Sequence, residues 1–233
     1  MDKPPPQVKA GLEQPRATRE VAFVQFMLGL FLHVVLALPF LRRTHGLGRL
    51  RPEQRHLFVI NHISLLDTLV VATLCWRSRC YPILVLGDKN VWHASWLRKF
   101  LSRRTAFLLE RGKLNPKRID ELEAFGRASR EFQLIVFPEG TRGDGVNVAP
   151  CRPGIYFIAQ AAHVPIVPVF IENMQLVSTK SGRFHPIQGW RKVEVHFGEP
   201  IAPEKYLPLP REEFLEFVRQ SILAARITER GEP

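Results

Sequence analysis

Five short apolar runs divide the chain from Leu57 onward: LFVI at 57–60, PILVL at 82–86, AFLL at 106–109, LIVF at 134–137 and PIVPVFI at 165–171. None alternates with polar residues, so each reads as a strand apolar on both faces. Helical patterns lie between them, at 65–76 and at 90–101. A further helix starts with Asn115 as its cap and Pro116 at its first position, and places Ile119, Leu122 and Phe125 on one face. Strands buried on both faces and separated by helices require an α/β domain, with a mostly parallel mixed sheet flanked by helices. Later, Val193, Val195 and Phe197 alternate with Lys192, Glu194 and His196. That alternation predicts a half-exposed strand at an edge. The last element, at 211–227, is an amphipathic helix with Phe214, Phe217, Val218 and Ile222 facing inward.

Ahead of this domain, residues 21–40 read VAFVQFMLGLFLHVVLALPF, with no formal charge apart from a titratable His33. Twenty helical residues rise about 30 Å, the thickness of a hydrocarbon core. A signal peptide fits poorly, because both acids and bases precede the segment and no small-residue cleavage site follows it. A core helix fits poorly too, since a domain of this size seldom hides a helix apolar on every face. Gln25, His33 and Pro39 weaken a simple spanning helix, and a bent helix lying partly in one leaflet also fits. Arg42, Arg43, Arg49, Arg51 and Arg55 follow against a single Glu53. This bias puts the domain on the cytoplasmic side, against an anionic membrane surface, taken to be a bacterial inner membrane. The expected organisation is a disordered proline-rich stretch over 1–20, a membrane-associated helix over 21–43 and the α/β domain over 44–233.

A net charge of +11 calls for an acidic partner. Nucleic acid is not that partner, because zinc-finger spacing, an RNA-binding aromatic signature and an arginine-rich tail are all missing. Cys75, Cys80 and Cys151 have no pair spacing and read as reduced thiols, and the scattered histidines form no metal motif.

The chemistry sits at strand ends. The run LFVI leads into Asn61-His62-Ile63-Ser64-Leu65-Leu66-Asp67, placing His62 where open α/β sheets build ligand sites. Five residues on a regular helix turn about 500°, so His62 and Asp67 cannot share a helical face. They can meet if His62 lies in the turn before a helix and Asp67 in its first turn, pointing back, with Ser64 as the N-cap. Ser64 and Asp67 also read as a capping box that needs no catalysis. The two readings are compatible, since one Asp67 oxygen can serve the cap while the other accepts from His62. His62 held in this way can act as a general base.

A second cluster, Phe137-Pro138-Glu139-Gly140-Thr141-Arg142, follows LIVF. Gly140 permits a close backbone approach or an unusual turn, and its neighbouring N–H groups can bind an anion. Arg142 offers a bidentate fork for phosphate. Glu139 is expected to orient Arg142 or to meet a substrate hydroxyl; the alternative is an ordinary polar loop with a surface ion pair. Glu110 and Arg111 follow AFLL and add charge to the same rim, and Arg152 ahead of the next helix is a further phosphate or carrier contact.

Together these blocks resemble the glycerophospholipid acyltransferase family, which includes the 1-acylglycerol-3-phosphate acyltransferases. NHISLLD is similar to the family's H-x-x-x-x-D motif, FLLER to the block whose arginine contacts substrate phosphate, FPEGTR to the third motif and VPIVPV to the fourth. A GEPI segment at 198–201 is similar to the family's closing strand. The resemblance implies that 44–233 is an acyltransferase domain with His62 as base and Asp67 as its orienting partner. It implies that Arg111, Glu139, Gly140, Thr141 and Arg142 bind the acceptor, a lysophospholipid, most simply 1-acylglycerol 3-phosphate giving phosphatidic acid. It implies an acyl-CoA or acyl-carrier protein donor and no metal or organic cofactor. Gly143 and Arg152-Pro153 depart from the serine and lysine frequent at these places in the family, which bears on acceptor identity. Rival acceptors are glycerol 3-phosphate and lyso-ornithine lipid. Rival classes are a thioester hydrolase and a non-catalytic lipid-binding protein. The expected chemistry is direct transfer, with oxyanion donors among backbone N–H groups near the first helix N-terminus. No GxSxG nucleophile elbow is present for a covalent acyl-enzyme.

Overall fold

The computed structural model describes residues 27–80, 82–88, 90, 93, 106–109, 116–129 and 131–228. The expectations for residues 1–26, for the Asn115 cap and for all but residues 90 and 93 of the 90–101 helix lie outside the described residues.

The strands are β1 (Leu41–His45), β2 (His56–Ile60), β3 (Ile83–Asp88), β4 (Ala106–Leu109), β5 (Gln133–Val136), β6 (Ile166–Glu172) and β7 (Val193–Phe197). The helices are α1 (residues 27–40), α2 (Leu66–Arg77), α3 (Pro116–Ala128), α4 (Gly154–Ala162), α5 (Met174–Val177), α6 (Pro203–Tyr206) and α7 (Arg211–Thr228). One sheet holds the strands in the order β1-β7-β6-β2-β5-β3-β4. Every neighbouring pair is parallel except β6 with β7. This is the mostly parallel mixed sheet that the continuous apolar runs predict. Leu57, Phe58, Val59 and Ile60 of β2 are all 0% exposed, so this strand is covered on both faces. Leu57, Val59, Leu134 and Phe170 pack with α3, α4 and α7 on one side of the sheet. Phe58, Ile60, Ile135 and Val169 pack with α1 and α2 on the other. In α7, Phe214, Val218 and Ile222 are fully buried and Phe217 packs partly buried beside them, as the amphipathic pattern requires.

Two expectations need correction. The alternating strand β7 is not at an edge. It lies between β6 and β1, and His196, expected to face solvent, is buried. The covering strand is LRRTH, whose polar composition carries no strand signal. It is held by polar partners: Arg42 pairs with Glu194 at 3.4 Å and the His45 ring stacks on His196 at 4.7 Å. The same residues shorten the N-terminal helix expected to run to 43. The helix ends at Phe40, and Arg42 and Arg43 belong to β1.

Helix α1 departs from regular α geometry for a local reason. Pro39 has no N–H and its ring crowds the carbonyl one turn back. The Leu38 N–H bonds to the His33 carbonyl, and His33–Ala37 widens into a π turn. One side of α1 packs on the domain through Leu36, Ala37 and Phe40, and Gly29 lies under Trp76 of α2. The other side leaves Phe31, Val34 and Leu38 more than half exposed. No helix among the described residues is long and apolar enough to cross a membrane. A Cβ at Gly29 would stand 2.5 Å from the Trp76 indole. Gly29→Val is therefore expected to pry α1 from α2 at a cost of about 1–3 kcal/mol. A thermal melt should register this as a fall of several degrees, and an unchanged Tm would contradict the packing.

Candidate active site

Strands β2 and β5 are direct parallel neighbours with Val59 opposite Val136, so the segments following them leave the same edge side by side. Asn61 fastens the end of β2 to β6. Its Nδ2 donates to the Ile171 carbonyl at 2.9 Å, and its Oδ1 accepts the Ile171 N–H at 2.7 Å. With the strand end held in this way, the next residue, His62, turns out of the sheet.

Asp67, in the first turn of α2, points back at that turn and is completely buried. Its Oδ2 stands 2.9 Å from His62 Nδ1 and accepts the N–H groups of Ile63 at 2.6 Å and Ser64 at 2.8 Å. The capping and histidine-orienting roles thus coexist, but on one oxygen and not on the expected two. Oδ1 is buried without a hydrogen-bond partner among the described residues. Leu65, not Ser64, is the residue at the helix boundary, while Ser64 Oγ accepts the Leu66 N–H at 3.2 Å. A carboxylate offers only acceptors, so the bond to Oδ2 places the proton on His62 Nδ1 and the lone pair on Nε2. The Phe137 ring stacks on the imidazole at 4.2 Å, and the His62 side chain remains 16% exposed.

The segment after β5 wraps the histidine backbone. The His62 N–H donates to Glu139 Oε1 at 2.8 Å, and its carbonyl accepts the Gly143 N–H at 2.6 Å. Glu139 Oε2 accepts the Ala149 N–H at 3.0 Å. Glu139, expected to orient Arg142 or meet a substrate hydroxyl, is 2% exposed with both oxygens taken by backbone N–H groups. Burial pushes its carboxyl above the ordinary value, against the opposing pull of those two bonds. Gly140 has φ +65°, a left-handed conformation suited to glycine, and a Cβ there would stand 3.0 Å from Arg152 Cγ. Thr141 is exposed and Arg142 half-buried, next to the Gly143 that bonds His62. Glu110 and Arg111 lie outside the described residues. Strand β4, which they follow, is separated from β2 by β5 and β3.

One expectation changes at this site. The N–H groups of Ile63, Ser64 and Leu66, near the helix N-terminus, are already bonded within the turn, which removes them as oxyanion donors. The three cysteines are buried. Burial pushes Cys80 up to about 11 and Cys151 up to about 12, and raises Cys75 well above its ordinary value. None supplies a thiolate nucleophile near neutrality. Sequence reasoning missed Phe137, which stacks on the His62 imidazole, and Gly143, which touches the His62 carbonyl. A glycine directly after the FPEGTR block was the available signal for the second.

Residues 42–172 match the family model described as Acyltransferase, which is more than half of the 233-residue chain. The chain belongs to the acyltransferase family. It is 30% identical over 178 residues to a Saccharomyces cerevisiae protein named 1-acyl-sn-glycerol-3-phosphate acyltransferase, covering 73% of this chain and 55% of that one. It is 25% identical over 208 residues to the mouse 1-acyl-sn-glycerol-3-phosphate acyltransferase alpha, covering 88% and 70%. The chain therefore spans little more than half the length of the yeast relative. Its fold matches the crystal structure of a 1-acyl-sn-glycerophosphate acyltransferase, PlsC, from Thermotoga maritima with a TM-score of 0.67. That match has 20% identity and covers 93% of this chain and 85% of the other.

Proposed function

We propose that this chain is an O-acyltransferase that moves a fatty acyl group from acyl-CoA or acyl-carrier protein to the free hydroxyl of a lysophospholipid, with 1-acylglycerol 3-phosphate as acceptor and phosphatidic acid as product. The observation that carries the reading is His62, with Nδ1 against buried Asp67 and its backbone clamped by the loop that bears Arg142. The names of the yeast and mouse relatives support the acceptor.

His62 Nε2 takes the proton of the acceptor hydroxyl as that oxygen bonds to the thioester carbonyl carbon. Collapse of the tetrahedral intermediate breaks the C–S bond, and the imidazolium returns its proton to the departing thiolate. Asp67 steadies the imidazolium in between. Arg142, with Gly140, Thr141 and Arg111, holds the acceptor phosphate. Glu139 acts through His62 by fixing its backbone. The exposed apolar side of α1 lies against a membrane, with the domain on the cytoplasmic side, so that lipid substrates meet the site at the bilayer surface.

Arg142→Ala tests the phosphate role. A charge-assisted bond lost to alanine should raise the KM for lysophosphatidic acid roughly 10- to 100-fold with a smaller change in kcat. The KM for a phosphate-free monoacylglycerol should not move. Equal shifts for both acceptors, or none, would contradict the assignment.

A further inference from the structure

A second group of exposed apolar side chains lies beside α1. Between Glu172 and Glu194 the chain carries Lys180, Arg183, Arg191 and Lys192 and no acidic residue. All four cations are exposed. Among them, Phe184 is 50% exposed, Trp190 60% and Ile187 90%. This segment is built, not loose. Ser178 bridges Phe184 in an antiparallel turn, the His185 N–H donates to the Val177 carbonyl at 2.8 Å, and Gly189 sits directly on Val177. Large apolar side chains held outward on such a frame mark an interaction surface. Tryptophan among cations suits the headgroup level of a bilayer.

Topology sets where this surface faces. Strand β6 runs parallel to β2, so the residues after β6 leave the same sheet edge as His62. Strand β7 is antiparallel to β6 and β1 parallel to β7, so both begin at that edge, and α1 ends there. Segment and helix touch: Phe184 meets Phe40 edge-on at 5.6 Å, and the Arg191 N–H donates to the Pro39 carbonyl at 2.8 Å. Leu65, 45% exposed, adds an apolar side chain at the same edge, three residues past His62.

We infer that residues 178–192 form a second membrane-seating element, which inserts Phe184, Ile187 and Trp190 into an anionic bilayer beside α1 and turns the His62 edge toward the lipid. The inference rests on the membrane-associated part of the proposed function and extends it to a part of the chain remote in sequence from the N-terminal helix. The cations commit it to anionic lipid, since they would meet the headgroups while the three apolar side chains pass below them.

The full chain would be tested by vesicle co-sedimentation, with phosphatidylcholine alone and with phosphatidylcholine mixed with phosphatidylglycerol. Wild type should bind the anionic vesicles, and the double variant Ile187→Ser, Trp190→Ser should bind them roughly 10- to 100-fold more weakly. Both substitutions are at exposed positions, and a matching Tm would exclude misfolding. As a second readout, Ile187→Cys would carry an environment-sensitive fluorophore, placed selectively because the native cysteines are buried. Its emission should shift to the blue on anionic vesicles. Wild-type binding with an undiminished double variant and an unshifted fluorophore would overturn the inference and leave the membrane reading of α1 standing. Failure of the wild type to bind any vesicle would overturn both. Equal binding to neutral vesicles would overturn the anionic assignment. Self-association of the wild type in buffer that the double variant lacks would give the surface to a second copy of the chain, and would also overturn the inference.

Discussion

His62→Ala should lower turnover about 10²- to 10⁴-fold, the usual contribution of a positioned general base. Its Tm should stay close to that of wild type, because the side chain is partly exposed and, among the described residues, its hydrogen bond is the one to Asp67. The backbone bonds that lock position 62 to the loop, from its N–H to Glu139 and from Gly143 to its carbonyl, survive truncation. The variant should therefore keep its affinity for the acceptor, seen as an unchanged Kd for lysophosphatidic acid. A variant that lost both fold and affinity would indicate a structural histidine.

Asp67 should behave differently, because it does two jobs with one oxygen. Asp67→Ala leaves the Ile63 and Ser64 N–H groups and His62 Nδ1 without their acceptor in a buried turn. That loss is expected to cost about 3 kcal/mol, which for a chain of this size lowers Tm by roughly 6–12 °C. Asp67→Asn keeps the shape and one acceptor oxygen, so most of the stability should remain. The rate should still fall on the order of 10³-fold, because a neutral amide oxygen cannot steady an imidazolium as the carboxylate does. The pair separates the roles, with stability tracking the cap and kcat tracking the charge. Wild-type kcat in Asp67→Asn would leave the carboxylate as a cap alone.

The sequence carries the middle of this fold openly and its margins poorly. Runs such as LFVI and LIVF read as strands covered on both faces, and their ends put His62 and the FPEGTR loop at one edge of a parallel sheet; the structure makes these two strands direct neighbours. The strand LRRTH is invisible to the same reasoning because it offers one apolar residue, Leu41, while Arg42 and His45 meet polar residues of β7. That hidden strand is also why β7 alternates yet is interior. At the site, the spacing of His62 and Asp67 requires a turn followed by a helix, and the turn is there. The role of Glu139 was not legible, since its carboxylate meets backbone N–H groups that no residue pattern encodes. The sharing of Asp67 Oδ2 among three donors is likewise a matter of local backbone path.

Transfer of an acyl group by His62 can be followed with a labelled acyl donor and lysophosphatidic acid in vesicles, wild type beside His62→Ala. The wild type should form labelled phosphatidic acid one for one with donor consumed, and the variant almost none. Release of labelled free fatty acid without phosphatidic acid, or equal product from His62→Ala, would contradict transfer by His62.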